Sequence, residues 1–444
     1  MKLTFEINDR PAFGQLIVLA FQQLLAIIAA TIAVPAIVGN GLSASAALFG
    51  AGVGTMVYLL ITKFRSPVFL GSSFAFIGSM FAAFAGGVSM QLGFAGLIIG
   101  ATVAGLVYVV IAIIVKFSGV AWIDKIMPAV VIGPTVAIIG LSLASNAVGD
   151  LLSGDCANTS KYVALICGLF TLFAIINSSV YGKYTNLTPF IVGIALGYIL
   201  ALIFTLIGNS TGNEAFCVLD FAPFKNLVSE GGFKLFSMPN FVCIEGLKGF
   251  KELNGAYLGT IFVAYAPVAF VTFAEHLADH KNLSTIINHD LTKDPGLHRT
   301  LLGDGIGTMV GTFFGGCPNT TYGESVACVA ITGNASVVTI ITTAFLAILV
   351  SFISPVIAVL DSIPACVMGG TCMTLYGFIA VSGLKMIKNV NLEDSGNLFT
   401  VSVILIAGIG GLTLNFGNLT LTEVACALIL GILVNRFVNI KKKS

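Results

Sequence analysis

Apolar positions in this chain come in long unbroken runs, with neither the period-two alternation of strands nor the narrow stripe of a soluble amphipathic helix. A helix needs about 20 apolar residues to cross a bilayer's hydrocarbon. Fourteen runs meet or approach that length: 14–38, 44–62, 67–85, 91–115, 126–147, 162–182, 187–207, 255–279, 300–316, 320–332, 335–353, 362–384, 396–411 and 418–435. Pro35 interrupts the first, and Gly71-Ser72-Ser73 the third. The tenth is short and follows Gly315-Gly316-Cys317-Pro318. The first run is too long for a secretory h-region, so no cleavable leader is expected. One connection, 208–254, is long; phenylalanines such as Phe216, Phe221, Phe224, Phe233 and Phe236 make it too apolar for a disordered linker, and it is expected to cap the outer surface.

Composition narrows the class. Only 9% of the 444 residues are charged, 57% are hydrophobic, and mean hydropathy is +1.01. Soluble domains carry about 25% charged residues, so a soluble enzyme is excluded. A net charge of +1 gives no basic footprint, which excludes nucleic-acid binding. The fold class is therefore an all-α polytopic membrane protein. The fifty glycines suit close helix packing in lipid. Nine scattered cysteines form no CxxC metal pattern; Cys156, Cys217 and Cys243 fall in predicted outside loops, where their pairing stays open.

Basic residues orient the spans. With both termini inside, sixteen of the twenty-one Lys and Arg lie on the inner side, including Lys2, Arg65, Lys125, Lys183, Lys293, Lys442 and Lys443. That bias obeys the positive-inside rule. The long outer loop divides the spans seven and seven. An odd number per half makes the second half insert upside down, as in inverted-repeat secondary transporters.

No Lys or Arg falls inside a predicted span, yet Glu275, Asp279, Asp304 and Glu324 do. A charge at mid-membrane costs at least about 2.5–3.5 kcal/mol. Without basic partners these carboxyls must be protonated, hydrated in a cavity, or matched by a ligand. Glu275 and Asp279 are i,i+4 and share a helix face, while His276 and His280 share an adjacent one. Leu70-Gly71-Ser72-Ser73-Phe74-Ala75-Phe76 and Pro318-Asn319-Thr320-Thr321-Tyr322-Gly323-Glu324 both predict short extended segments opening half-helices. Unwound backbone is tolerated at that depth only where protein buries it or it lines a cavity. Carboxylates accept hydrogen bonds and free backbone N–H groups donate them, which suits a small flat ligand with alternating N–H and C=O groups. Phe74 adds a stacking face. A metal site built from Glu275, His276, Asp279 and His280 is the competing reading, since His-x3-His has ligand spacing; no cofactor or metal is expected.

Gly71-Ser72-Ser73-Phe74-Ala75-Phe76, Ala274-Glu275-His276, Asp294-Pro295-Gly296-Leu297-His298-Arg299 and Pro318-Asn319-Thr320-Thr321-Tyr322-Gly323-Glu324 together resemble bacterial uracil permeases of the nucleobase–cation symporter 2 (nucleobase–ascorbate) family. The resemblance runs from about Arg10 to the C-terminus. It implies fourteen spans in a 7+7 inverted repeat: a cytoplasmic N-terminus (1–13), a core domain (14–116 and 255–353), a gate domain (126–207 and 362–435), the outer loop (208–254) and a basic cytoplasmic tail (436–444). It implies a multi-pass protein of the bacterial inner membrane that imports uracil by proton symport and alternating access, or alternatively a purine (xanthine or uric acid) permease of the same fold. Partners implied are uracil, protons, lipid and a second copy through the gate. Glu275 and Glu324 would bind the ring, with Phe74, Gly323 and Tyr322 completing the site and Gln22 near it. Where the best-known members carry a His four residues after the first Glu, this chain has Asp279. The coupling role thus passes to Glu275 with Asp279 or His280.

Overall fold

The computed structural model describes residues 3–441 apart from 120–121, 123–127, 183–184, 186–187, 226, 230–231, 389 and 417–418. Lys2, Lys125, Lys183, Lys442 and Lys443 of the charge count, and the first residues of the predicted 126–207 segment, lie outside that set.

Helix α1 (Phe13–Val38) ends at Gly39, and α2 (Ala44–Ile61) begins under Ser43, whose hydroxyl accepts from the Ala46 N–H. The third run is not one helix. It opens as strand β1 (Leu70–Ser72), tightens through a turn at Phe74–Phe76, and only then becomes α3 (Ile77–Phe84). Next come α4 (Met90–Ser118), α5 (Ala129–Ser142), its near-continuation α6 (Ala144–Leu151), α7 (Lys161–Val180) and α8 (Pro189–Thr211). A short α9 (Val242–Gly249) follows in the long loop.

Helix α10 (Gly255–Ile287) is capped by Asn254 and closed by Asn288 in the left-handed conformation. It outruns the predicted 255–279, because Leu283, Ile286 and Ile287 carry the apolar spacing beyond the polar Asp279–Lys281 stretch. Helix α11 (Leu297–Gly315) leads into strand β2 (Asn319–Thr321) and the ten-residue α12 (Gly323–Thr332). The chain finishes with α13 (Val337–Val350), α14 (Ser354–Asp361), α15 (Ala365–Met386), α16 (Ser395–Ile409) and α17 (Glu423–Lys441).

Among the described residues eight helices are long and apolar enough to cross a membrane: α1, α2, α4, α5 with α6, α7, α8, α10 and α15. The segment 74–87 and α12, α13 and α16 are apolar but shorter. Two of those are short because their runs spend three residues as strand.

Strands β1 and β2 lie 250 positions apart yet pair antiparallel, Leu70 opposite Thr321, Gly71 opposite Thr320 and Ser72 opposite Asn319. Two flanking bonds extend the ladder: Ser73 N–H donates to Pro318 O (2.8 Å) and Tyr322 N–H to Phe69 O (3.3 Å). All six strand residues are buried, so each segment satisfies the polar backbone that the other exposes at membrane depth. Gly71 is required by close approach, since a Cβ there would lie 2.3 Å from the Tyr322 ring.

Packing sorts the helices into two groups. Helix α11 lies against α2 and α4, α13 against α2 and α1, and α10 against α4. Separately, α15 packs on α5, α6 and α7, α16 on α5 and α17, and α7 on α8. The groups meet where α10 touches α17 and the 419–421 segment, and where α1 touches α8. At a loop end, Arg65 pairs with Asp294 at 2.8 Å and holds that carboxyl below the usual range. Both groups are about half exposed, so the pair contributes little to stability.

Candidate functional site

One face of α10 builds one wall of a cavity. Glu275, Asp279 and Asn282 stand at i, i+4 and i+7, so their side chains line up along the helix. All three line a cavity of about 380 Å³ together with Gly323 and Glu324 of α12. Glu275, Gly323 and Glu324 also line an adjoining nook of about 30 Å³ walled by Ser73, Phe74 and Tyr322. The structure thus brings Glu275, Glu324, Phe74, Gly323 and Tyr322 to one place, with Asp279 beside them. Apolar side chains of the second helix group close the opposite side: Ile139 of α5, Phe190 of α8, and Leu375, Phe378 and Ile379 of α15.

The strand pair sets the geometry. Because β2 ends at Thr321, α12 starts inside the protein, and the N–H groups of its first turn have no partner within the helix. The positive end of the helix dipole points the same way, which favours ligand oxygens. A side chain on Gly323 would meet nothing within 4 Å, so that backbone stands open to the cavity. Glu324 sits in this first turn, half-buried. Thr321 Oγ1 donates to Asp279 Oδ2 at 2.7 Å, tying β2 to the ladder on α10. Tyr322 is buried and donates its hydroxyl to the Ser72 carbonyl at 2.9 Å, locking the strand crossing from inside. A Tyr322→Phe substitution keeps the ring and deletes that bond. It is expected to cost about 1 kcal/mol, checked by thermal unfolding of the purified protein in detergent.

The histidines point elsewhere. His276 and His280 are fully buried and stacked on each other at 4.0 Å, and neither lines the cavity or the nook. His276 Nδ1 meets Asp304 Oδ2 at 2.7 Å and its Nε2 meets Thr300 Oγ1 at 3.0 Å. His280 Nδ1 lies 2.8 Å from the His276 carbonyl, which can only accept, so Nδ1 carries the proton and Nε2 accepts from Tyr58 OH at 2.8 Å. Asp304, one of the four intramembrane carboxyls, is thus the partner of His276 and does not line the cavity. Glu275 and Asp279 face the cavity while the two histidines face α2 and α11. The four do not converge on one point, and no group of metal-ligating side chains assembles among the described residues.

Two participants escaped the sequence reading. Gln23, next to the Gln22 singled out in the sequence, reaches the site region: it is buried, and its Nε2 donates to Ser325 Oγ at 2.7 Å, next to Glu324. Asn282 was legible as the i+7 continuation of Glu275 and Asp279, but its run was ended at Asp279.

A multi-pass helical bundle that collects acidic side chains around an internal cavity is the construction of a membrane transporter. The profile of the permease family (Xan_ur_permease) matches residues 14–416. The uracil permease of Bacillus caldolyticus is 40% identical over 441 residues, covering 98% of this chain and 94% of that protein. The uracil permease of Bacillus subtilis is 35% identical, covering 98% and 95%, and that of Escherichia coli 32%, covering 96% and 92%. The chain belongs to this permease family and is a multi-pass membrane transporter, not an enzyme. Solved structures share its fold. The transmembrane domain of the cyanobacterium bicarbonate transporter BicA superposes with a TM-score of 0.59 at 16% identity, covering 97% of this chain and 100% of that one. The murine anion transporter Slc26a9, in its inward-facing state, gives 0.64 at 11%, covering 98% and 69%.

Proposed function

We propose that this chain imports uracil across the bacterial inner membrane by proton symport. The observation that carries this reading is that Glu275 and Glu324, distant in sequence and without basic partners among the described residues, line the same cavity and nook. Each carboxylate accepts a ring N–H; the open backbone at Phe74 and Gly323 donates to ring carbonyls; Tyr322 and Phe74 flank the ring. Glu275, with Asp279 beside it, carries the coupled proton. His280 is held by Tyr58 and the His276 carbonyl, so in this reading it steadies α10 instead of exchanging protons with the cavity.

Helices α1–α4 and α10–α13 form a core that holds the ligand, and the second group forms a gate against which the core rocks. The 7+7 repeat, cytoplasmic termini and pairing of two copies through the gate belong to the same proposal. The cavity extends past Asn282 to Met386 and Ser179, at helix ends that the basic-residue count places inside, which supports an inward-open state. One proton moved through 100 mV supplies about 2.3 kcal/mol, enough for roughly 50-fold accumulation at about 1.4 kcal/mol per tenfold.

The test is labelled uracil uptake into proteoliposomes with an inwardly directed proton gradient. Accumulation is expected to collapse when a protonophore is added, and excess thymine or xanthine reports which ring the site accepts. Uptake indifferent to the protonophore, or competed by xanthine better than by uracil, would refute this reading.

A further inference from the structure

The cavity is longer than the site just described. Seven residues of α10 separate Glu275 from Asn282, which is about 10 Å along the axis at 1.5 Å per residue. Asn282 is exposed and lines the cavity, and its side chain makes no hydrogen bond to another described residue. The same cavity is lined by uncharged polar side chains from the facing helix group: Ser382 of α15, and Ser179 and Thr188 at the α7–α8 junction. Phe378, one turn before Ser382, lines the same wall and is 57% exposed. Around Asn282 the described lining therefore offers an unused amide, a few hydroxyls and an aromatic ring.

Resting on the transport reading above, we propose that Asn282 anchors a second, weaker subsite for the same kind of ring, occupied in transit between the glutamates and the mouth. A primary amide presents a C=O acceptor beside an N–H donor. That pair matches the adjacent N–H and C=O of a cyclic imide or lactam edge in a two-bond contact, as an Asn side chain matches a base edge. Phe378 supplies a stacking surface, an interaction every heterocycle can make. Neutral amide bonds are weaker than bonds to a carboxylate. The ring therefore gives up charge-assisted contacts at Glu275 and Glu324 for a looser hold about two helical turns away. Such a step divides the exit into two smaller barriers.

Equilibrium binding of labelled uracil to the purified, detergent-solubilised protein tests this. Wild type is expected to show two saturable components, the weaker by about 100-fold, since two charge-assisted bonds are exchanged for neutral ones. Combining Glu275→Gln with Glu324→Gln is expected to leave only the weak component, and Asn282→Leu to remove only that component. Asn282→Gln, which keeps the amide, should restore part of it. A single component in wild type, or a weak component that survives Asn282→Leu, overturns the subsite. Loss of the tight component in Asn282→Leu also overturns it. Absence of any uracil binding to wild type instead overturns the transport reading, and the subsite with it.

Discussion

Replacing either Glu275 or Glu324 by glutamine is expected to lower uracil uptake by at least about 30-fold, with the protein still folded. A hydrogen bond to a charged acceptor contributes about 1.5–3 kcal/mol, and leaving a buried donor unsatisfied costs a comparable amount. At about 1.4 kcal/mol per tenfold, losing one such bond brings the effect into this range. Glutamine is nearly the same shape, so the cavity keeps its volume. Its amide can turn an N–H toward the ring's own N–H, which replaces an attraction by a clash of donors. The two variants should differ in one respect. Glu275→Gln also removes the group assigned to the proton, so its residual uptake should no longer respond to a pH gradient, whereas that of Glu324→Gln should. Initial-rate uptake with and without the gradient, alongside thermal unfolding to show intact protein, checks both. Wild-type uptake by Glu275→Gln would end the proposed mechanism.

The largest effect on stability is expected away from the ligand. Helices α2 and α11 touch backbone to backbone: a Cβ on Gly50 would lie 2.4 Å from the Gly311 carbonyl oxygen, and one on Gly311 would lie 2.1 Å from Asn319 Nδ2. That same Nδ2 donates to the Gly50 carbonyl at 3.2 Å. Gly311→Leu therefore forces apart two helices and displaces the side chain that anchors β2. Overpacking a tight core costs about 1–3 kcal/mol, occasionally more, and here backbone cannot move aside as a side chain can. The expected result is loss of monodisperse protein on size-exclusion chromatography, or a melting temperature lowered by several degrees where some protein survives. A variant that melts like wild type would show that α2 and α11 do not pack this closely.

How far the sequence could be read differs between the elements and the site. Long apolar runs identify helices because each needs only local information, and the breaks at Gly71 and Pro318 announced the two strands. Their pairing was not visible, since nothing local links residue 70 to residue 321. The carboxylates were legible because an acid in lipid without a basic neighbour has few explanations. What failed was helical phase and length. Gln23 was missed because its bond to Ser325 depends on how α1 packs on α12. The end of α10 was misplaced because polar residues facing a cavity look, in a hydropathy window, like residues leaving the membrane. His276 and Asp304 were each noticed, but their contact depends on how α10 crosses α11.

The β1–β2 ladder also has a consequence for how the protein is made. Residue 70 leaves the ribosome 249 positions ahead of residue 319, a delay of roughly 10–50 s at the 5–20 residues per second of translation. Throughout that interval the nascent chain holds an inserted segment whose polar backbone has no counterpart. It must be sheltered by the insertion machinery or by water until the second strand is synthesised. Stalling translation between these positions should thus yield a protease-sensitive, binding-incompetent intermediate, and completion of the latter half is what closes the cradle.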